Sequence, residues 1–436
     1  MALGGGTFVA QNKDLPGAYI NFISASSANA ALSDRGIATM PLELDWGVEG
    51  EIFEVTSGDF QKNSTKIFGY EYTSDKLKGL RDLFLNAQTF YGYRLNGGGK
   101  KAGNAIAEAL YSGVRGNDLK IVVQVNIDDE SLFDVKTILG SSIVDEQTVA
   151  KADELAANDY VKWKSGITLE ATAGAPLTGG ENGEASGADH QAYLEQVESY
   201  SFNTMGVVVT DDITKSLYAA YNKRLRDEMG VKFQLVLYDY AKADYMGVIS
   251  VNNKVLDEGC SAASLVYWVT GASAGCAVNK SNQNRKYDGS FMVETPYTQN
   301  QLKDAIRAGK YTFHRVGIEV RVLEDINTMV TTSDTMGDIF KDNQTIRVID
   351  QIGNDIAVLF NTKYLGVVPN DAAGRISFWS DIVKYHTQLQ KTRAIEGFSD
   401  GDITVDQGET KKSVVCNSAV TVVNTMGKLY MAVVVQ

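Results

Sequence analysis

The sequence predicts an α+β chain of several domains: an α/β section, a small all-β insertion and a C-terminal α+β section, with a strand-like arm at each end. Three observations carry this. Between residues 207 and 251, apolar runs flank a stripe of helical period, the mark of a βαβ unit. Between 103 and 187, short β-type runs are separated by polar turns, with no helical period. After residue 341 come two long amphipathic patterns and then short strands.

Taken in chain order, residues 1–24 read as an arm. Thr7, Phe8 and Val9 follow a run of three glycines, and Tyr19, Ile20 and Asn21 follow the Pro16-Gly17 turn signal. Residues 25–102 mix strands and helices: Ile52 to Val55 is strand-like, while Leu77, Leu80, Phe84 and Leu85 repeat at helical spacing. In 103–187, residues 119–127 form a strong strand. Shorter runs continue through Ile167-Thr168-Leu169, ahead of a Gly-rich loop at 178–183. In 188–340, Val207-Val208-Val209 is a buried strand ending at Asp211-Asp212. The next helix carries Ile213, Leu217, Tyr221, Leu225 and Met229 on one face, and Gly230 stops it. Strands at 231–238 and 246–251 follow, which implies parallel pairing with a right-handed crossover. A helix through Ala263, Val266 and Tyr267 comes next. Thr298 and Gln301 then form a capping box before Leu302 and Ile306, and Gly309 closes that helix. Residues 311–315 and 318–323 alternate as a hairpin around Gly317.

In 341–427, Ile346, Ile349, Ile352, Ile356, Leu359 and Phe360 mark one long helix. Ile376, Trp379, Ile382, Val383, His386 and Leu389 mark the second. Strands follow at 403–405, 413–416 and 420–423. Residues 428–436 form a second arm, with Leu429, Tyr430, Met431, Val433, Val434 and Val435 as its β-type apolar residues. An apolar strand left in water is an open edge that invites uncontrolled pairing, so this arm needs a partner. Two destinations are open: the chain's own sheet, or a neighbouring molecule.

Composition narrows the function. The 436 residues are 44% hydrophobic and 22% charged, as in an ordinary globular protein able to build cores without disulfides. Three cysteines, Cys260, Cys276 and Cys416, are too few and odd in number for a disulfide framework and fit a reducing compartment. A net charge of −13 with no basic run speaks against nucleic acid. The most apolar stretch, 265–278, is too short and too rich in small residues to span a bilayer, and no secretion signal is visible.

Chemical motifs are weak. Gly271-Ala-Ser273-Ala-Gly275 matches G-x-S-x-G, but Ser273 sits at helical spacing and not on a strand-to-helix turn. Close helix packing is the better account. Asn96 to Lys101 resembles part of a phosphate loop. A Walker A motif, however, needs a glycine where Arg94 stands and Ser or Thr where Lys101 stands, so a turn is the better account. His190, His314 and His386 are far apart, and His386 falls on an apolar helix face. Asp211 and Asp212, at the end of a parallel strand, are the strongest catalytic candidates, though carboxylates there also cap the following helix. No catalytic residue, cofactor or metal ligand is expected.

Several segments together resemble the contractile tail sheath subunits of bacteriophages and phage-tail-like bacteriocins, of the compact type found in phages of Gram-positive bacteria. They are residues 11–13 with Pro16 to Asn21, Ser33 to Ile37, Pro41 to Gly47, Tyr93 to Asn96, Tyr267 to Gly271, Asn279 to Ser281 and Leu429 to Met431. The likeness runs almost from end to end. It implies a sheath domain of subtilisin-like topology at 188–340, one of shape only because no triad can be assembled. It also implies a β-sandwich at 103–187 and exchange of the N- and C-terminal strands between subunits. The implied assembly is stacked hexameric rings around a tail tube protein, bounded by baseplate and tail terminator proteins, without nucleic acid or membrane. The implied place is the bacterial host cytoplasm during assembly and then the tail of the particle. A helix matching residues 376–395 would face the tube with Lys384, Gln388, Lys391 and Arg393. The alternatives to a sheath are a non-contractile shell or filament using the same strand exchange, or a hydrolase using Asp211, Asp212 or Ser273.

Overall fold

The computed structural model describes residues 32–435. The chain divides into two compact units, a larger one of Asp34–Gly353 with the segment from Val422 onward, and a smaller one containing Asn354–Thr421. The arm residues Thr7, Phe8, Val9, Tyr19, Ile20 and Asn21 lie outside the described residues.

The larger unit begins with β1 (Ile37–Leu42), β2 (Ile52–Thr56), α1 (Ser57–Phe68), α2 (Lys78–Phe84) and β3 (Thr89–Arg94). A β-rich insertion follows: β4 (Ala107–Ala109), β5 (Leu119–Val125), β6 (Phe133–Leu139), β7 (Ser142–Val149), β8 (Val161–Trp163) and β9 (Thr172–Pro176). The chain then returns through α3 (Gly187–Val197), β10 (Thr204–Gly206), α4 (Asp212–Arg224), β11 (Gln234–Tyr238), β12 (Val248–Val251), α5 (Leu265–Gly275), α6 (Gln299–Arg307) and β13 (Lys310–Tyr311). The hairpin β14 (Phe313–Val316) and β15 (Glu319–Val322) precedes α7 (Asn343–Leu359).

One seven-stranded sheet, in the order β13-β12-β11-β10-β1-β3-β2, organises the unit; β2 runs antiparallel to β3 and the other pairs are parallel. The segments 25–102 and 188–340, expected as separate regions, therefore share this sheet, joined where β1 pairs with β10. Alternation along β11 sends Leu235 and Leu237 to one core, with Tyr193 and Tyr218, and Val236 to the other, with Trp268 and Val269. Helix α5 lies against α2, and a Cβ on Gly271 or Gly275 would overlap the carbonyl oxygen of Leu83 or Asn86. The insertion pairs β7-β6-β5-β9 and β4-β8 around a core of Leu119, Ile121, Val135 and Val161, a β-sandwich.

Three expectations need correction. The strand placed at Val207 to Val209 lies at Thr204–Gly206. Gly206 reads as a breaker, yet it is needed because a Cβ there would overlap Thr270 of α5. The apolar stripe expected on α4 is buried only in its middle, at Tyr221 and Leu225 with Leu217 half-buried, and not at its ends. Ile213 and Met229 are exposed, whereas Lys215, Tyr218, Tyr221, Asn222 and Leu225 are buried. The polar ones earn their place by hydrogen bonding, as when Asn222 donates to the Phe233 carbonyl, and a π-helical turn at Leu225–Met229 rotates Met229 outward. Residues 167–169 form no strand; β9 lies further on, in a stretch of Ala, Gly and Pro, and meets β5 across a bulge.

In the smaller unit, α8 (Ala372–Lys391) is capped by Asp371, whose carboxylate accepts from Gly374 N–H at 2.7 Å. An antiparallel hairpin, β16 (Ile403–Gln407) and β17 (Val414–Ser418), follows. Helix and hairpin are tied by Trp379 Nε1, which donates to the Ile403 carbonyl at 3.1 Å.

Candidate assembly interface

Helix α7 opens on Asp342, whose Oδ1 accepts from the backbone N–H of Gln344 at 2.7 Å and of Thr345 at 3.2 Å. Such a cap satisfies orphan donors of the first turn. Burial raises the Asp342 pKa to about 6, and the nearby Asp325 charge adds to the shift. Asp325 itself stays ionised: burial pushes its carboxyl up, but the Arg347 guanidinium, 2.6 Å away, and donors from Asn282 and Asn343 bring it below the usual range. A second buried pair, Arg226 with Asp350, is bidentate at 2.6 and 2.7 Å. Desolvation offsets much of the attraction in such pairs, so their main contribution is geometry. They hold the first turns of α7 in place.

From there Gln344 grips the chain leading to the C-terminal arm. Its Nε2 donates to the Val423 carbonyl at 2.9 Å, and its Oε1 accepts from Thr425 N–H at 3.0 Å. Beyond this point residues 426–435 adopt neither helix nor strand, and Leu429, Tyr430, Met431, Val433, Val434 and Val435 are 72–90% exposed. In an extended chain alternate side chains face opposite ways. Here both sets are apolar: Leu429, Met431, Val433 and Val435 against Tyr430, Ala432 and Val434. That is the pattern of a strand covered on both faces.

The smaller unit offers open strand edges. Strands β16 and β17 pair only with each other among the described residues, so the hairpin has no third strand. Val415 and Cys416 of β17 are exposed. A groove of about 330 Å³ runs between α8 and β16, lined by Arg375, Ile376, Trp379 and Val405. A smaller hollow of about 100 Å³ lies beside β17, lined by Phe360, Tyr364, Leu365, Phe378 and Val414.

On the outer side of α8, Lys384, Gln388 and Lys391 fall in line at helical spacing; the two lysines are exposed and Gln388 is half-buried. Arg393 is not on the helix. It follows the C-terminus with φ of 63°, outside the helical spacing of the other three. His386 is fully buried on the opposite side.

The catalytic candidates are occupied structurally. Asp211 Oδ1 accepts from Thr214 N–H at 2.7 Å as the cap of α4, and this bond lowers its pKa. Asp212 lies 2.7 Å from Lys242 and 3.3 Å from Lys215, and its pKa is likewise lowered, first by Lys242. Ser273 is fully buried within α5, its hydroxyl without a hydrogen-bond partner. His190 Nδ1 bonds the Tyr218 hydroxyl at 2.8 Å, and burial lowers its pKa. The turn at 96–101 is held by Glu49, which accepts from Gly98 N–H at 2.7 Å. Among the described residues no cluster of His, Cys, Asp and Glu could hold a metal ion, and no helix is long and apolar enough to cross a membrane. Sequence reasoning missed Asp342 and Gln344; the only signal was an Asx residue just before an apolar helical pattern.

Four family models match successive stretches of the chain. They are the tail sheath protein Gp18 domain III N-terminal region over residues 35–95, the phage tail sheath protein beta-sandwich domain over 96–182, the phage tail sheath protein central domain over 183–328 and the phage tail sheath C-terminal domain over 335–436. The phage-like element PBSX protein XkdK of Bacillus subtilis (strain 168) is 32% identical over 468 aligned residues, covering 99% of each chain. The crystal structure of a sheath tail protein from Desulfitobacterium hafniense matches with a TM-score of 0.82 at 37% identity, over 95% of this chain and 99% of that one. The helical sheath of the anti-feeding prophage in its contracted state shares the fold at 12% identity, with a TM-score of 0.58 over 97% and 99% of the two chains.

Proposed function

This chain belongs to the phage tail sheath family, and from that premise we propose that its copies knit together by exchanging terminal strands. It is a structural protein of contractile tails. In the proposed assembly, stacked hexameric rings surround a tail tube, and contraction drives the tube through a bacterial envelope. Copies of the chain, the tube protein, and the baseplate and terminator proteins at the two ends are the partners. Assembly takes place in the host cytoplasm, and the subunit acts without catalysis or cofactor.

The observation that carries this reading is the exposed apolar arm. Burying its six large side chains is worth roughly 10 kcal/mol gross, at the low end of about 1.5–3 kcal/mol each. Ordering seven residues costs about 1–2 kcal/mol apiece, which offsets most of it. One arm alone therefore holds weakly, and a lattice of arms holds cooperatively. Seven extended residues span about 23 Å at ~3.3 Å each, enough to bridge to a neighbour. The receiving site is the β16–β17 hairpin of another copy, where an added strand finds unpaired backbone groups and the groove and hollow beside them, each lined by both apolar and polar side chains. An N-terminal arm covers the other side. The basic line Lys384, Gln388, Lys391 and Arg393 faces the tube, the sheath domain keeps a subtilisin-like shape, and the β-sandwich projects outward. The stored energy of a metastable extended lattice drives contraction, so no nucleotide is needed.

Deleting residues 428–436 tests the reading. The expected product is a folded monomer that forms no tubes under negative-stain electron microscopy, and Leu429→Pro acts the same way by removing a ladder donor. Normal tubes from the truncated protein would sink it.

A further inference from the structure

We infer that Gln344 is the positioning residue that aims the C-terminal arm, acting as a fixed strand surrogate at its root. The inference rests on the exchanged-arm reading above and adds the device that sets the arm's direction. A residue in a parallel strand makes two bonds to its neighbour: it donates to the carbonyl before the facing residue and accepts from the N–H after it. Gln344 reproduces both with its side-chain amide, donating to Val423 and accepting from Thr425, so Asn424 is the faced residue.

Three features make this a built grip. Gln344 is 1% exposed, so neither amide atom has ready access to competing water. Its own N–H is bound by the Asp342 cap, and the adjacent turns of α7 are pinned by the Arg347–Asp325 and Arg226–Asp350 pairs. Thr345 adds a hydroxyl contact at 3.3 Å to the Asn424 side chain. By contrast Asn424, Thr425 and everything beyond are exposed. The arm root is thus ordered by side chains of one rigid helix end, and the arm itself is left uncommitted. Fixing three backbone residues in advance removes part of the ordering entropy that docking would otherwise cost, and it narrows the directions the arm can sample.

The test uses the full-length protein with Gln344→Leu, which keeps volume and removes both bonds, and with Thr425→Pro, which removes the N–H that Gln344 accepts at an exposed position. Hydrogen exchange is read below the concentration at which tubes form. Gln344→Leu is expected to speed exchange at Thr425 about tenfold while core amides stay protected. Both variants are expected to need several-fold more protein to form tubes. Should Gln344→Leu not fold, Thr425→Pro decides by tube formation alone. Unchanged tube formation in the folded variants, with or without faster exchange, would overturn the inference. Tubes formed by the 428–436 deletion would instead remove the strand-exchange reading beneath it, so the two failures are distinct.

Discussion

The Ser418 hydroxyl lies 3.0 Å from His386 Nε2, a bond that ties strand β17 to helix α8. The other ring nitrogen, Nδ1, sits 2.9 Å from the Ile382 carbonyl, which can only accept. Nδ1 therefore carries the proton and Nε2 accepts from Ser418. Phe398 stacks on the ring at 5.2 Å. A neutral histidine thus holds the hairpin proposed to receive a neighbour's arm.

Replacing His386 with Leu leaves the Ser418 hydroxyl and the Ile382 carbonyl without this partner. We expect a loss of about 2 kcal/mol in urea denaturation at pH 7.5. The pH dependence gives a second check. Burial lowers the His386 pKa, so just below pH ~6.5 the unfolded chain takes up a proton that the folded one refuses. Its stabilising contribution is present above that pH and is lost as pH falls. The Leu variant lacks this term, so the gap between the two proteins narrows on acidification; a constant gap from pH 7.5 to 5.5 would contradict the assignment.

Much of this architecture is legible in the sequence, and the failures have physical causes. The capping box at Thr298 and Gln301, the stop at Gly230 and the packed His386 follow from local rules that tertiary structure does not overrule. Strand β10 lies earlier than its apolar run because Gly206 answers to the approach of α5, a contact made by residue 270. The face of α4 is legible at Tyr221 and Leu225 but not at its start, because hydropathy ranks Ile213 above Tyr218, whereas burial favours the tyrosine that finds His190. The apolar character of 429–435 on both faces is legible from composition alone, although the strand expected there does not form within the described residues. Gln344 was not, because a side chain that imitates a strand has no sequence pattern.

Asp342 carries a neutral-pH cost that a variant should relieve. Its folded pKa, about 6, exceeds the unfolded value, so the folded state holds more protons between the two. Stability falls as pH rises through that window, and the penalty is complete above it. Asn caps helices about as well as Asp. Asp342→Asn is therefore expected to stabilise by about 1 kcal/mol at pH 7, a gain that shrinks toward pH 5. Thermal melts at the two pH values check it; a loss at pH 7 would show that the charge is needed at the cap.

Cys416 reports on the receiving hairpin without any mutation. It is exposed on β17, whereas Cys276 is buried. A maleimide applied to monomers is expected to modify Cys416 readily, as identified by peptide mass spectrometry. In tubes the same thiol is expected to react at least tenfold more slowly, because a docked strand covers that edge. Equal labelling in both states would place the exchanged arm elsewhere.

Helix α5 separates packing from catalysis. Gly271→Ala is expected to destabilise by about 1–3 kcal/mol, because its Cβ would overlap the Leu83 carbonyl and force α2 and α5 apart. Ser273, two residues on, has a fully buried hydroxyl with no hydrogen-bond partner. An unsatisfied buried hydroxyl costs stability, so Ser273→Ala should be neutral or stabilising by up to about 1 kcal/mol, with tube formation intact. A hydrolase would invert this order: the alanine at 273 would abolish function, and an activated phosphonate would label Ser273 in the folded wild-type protein. Because the side chain is fully buried, that reagent can reach it only if α5 leaves its packed position. Labelling under native conditions would therefore refute both the packing role of this motif and the structural reading of the chain.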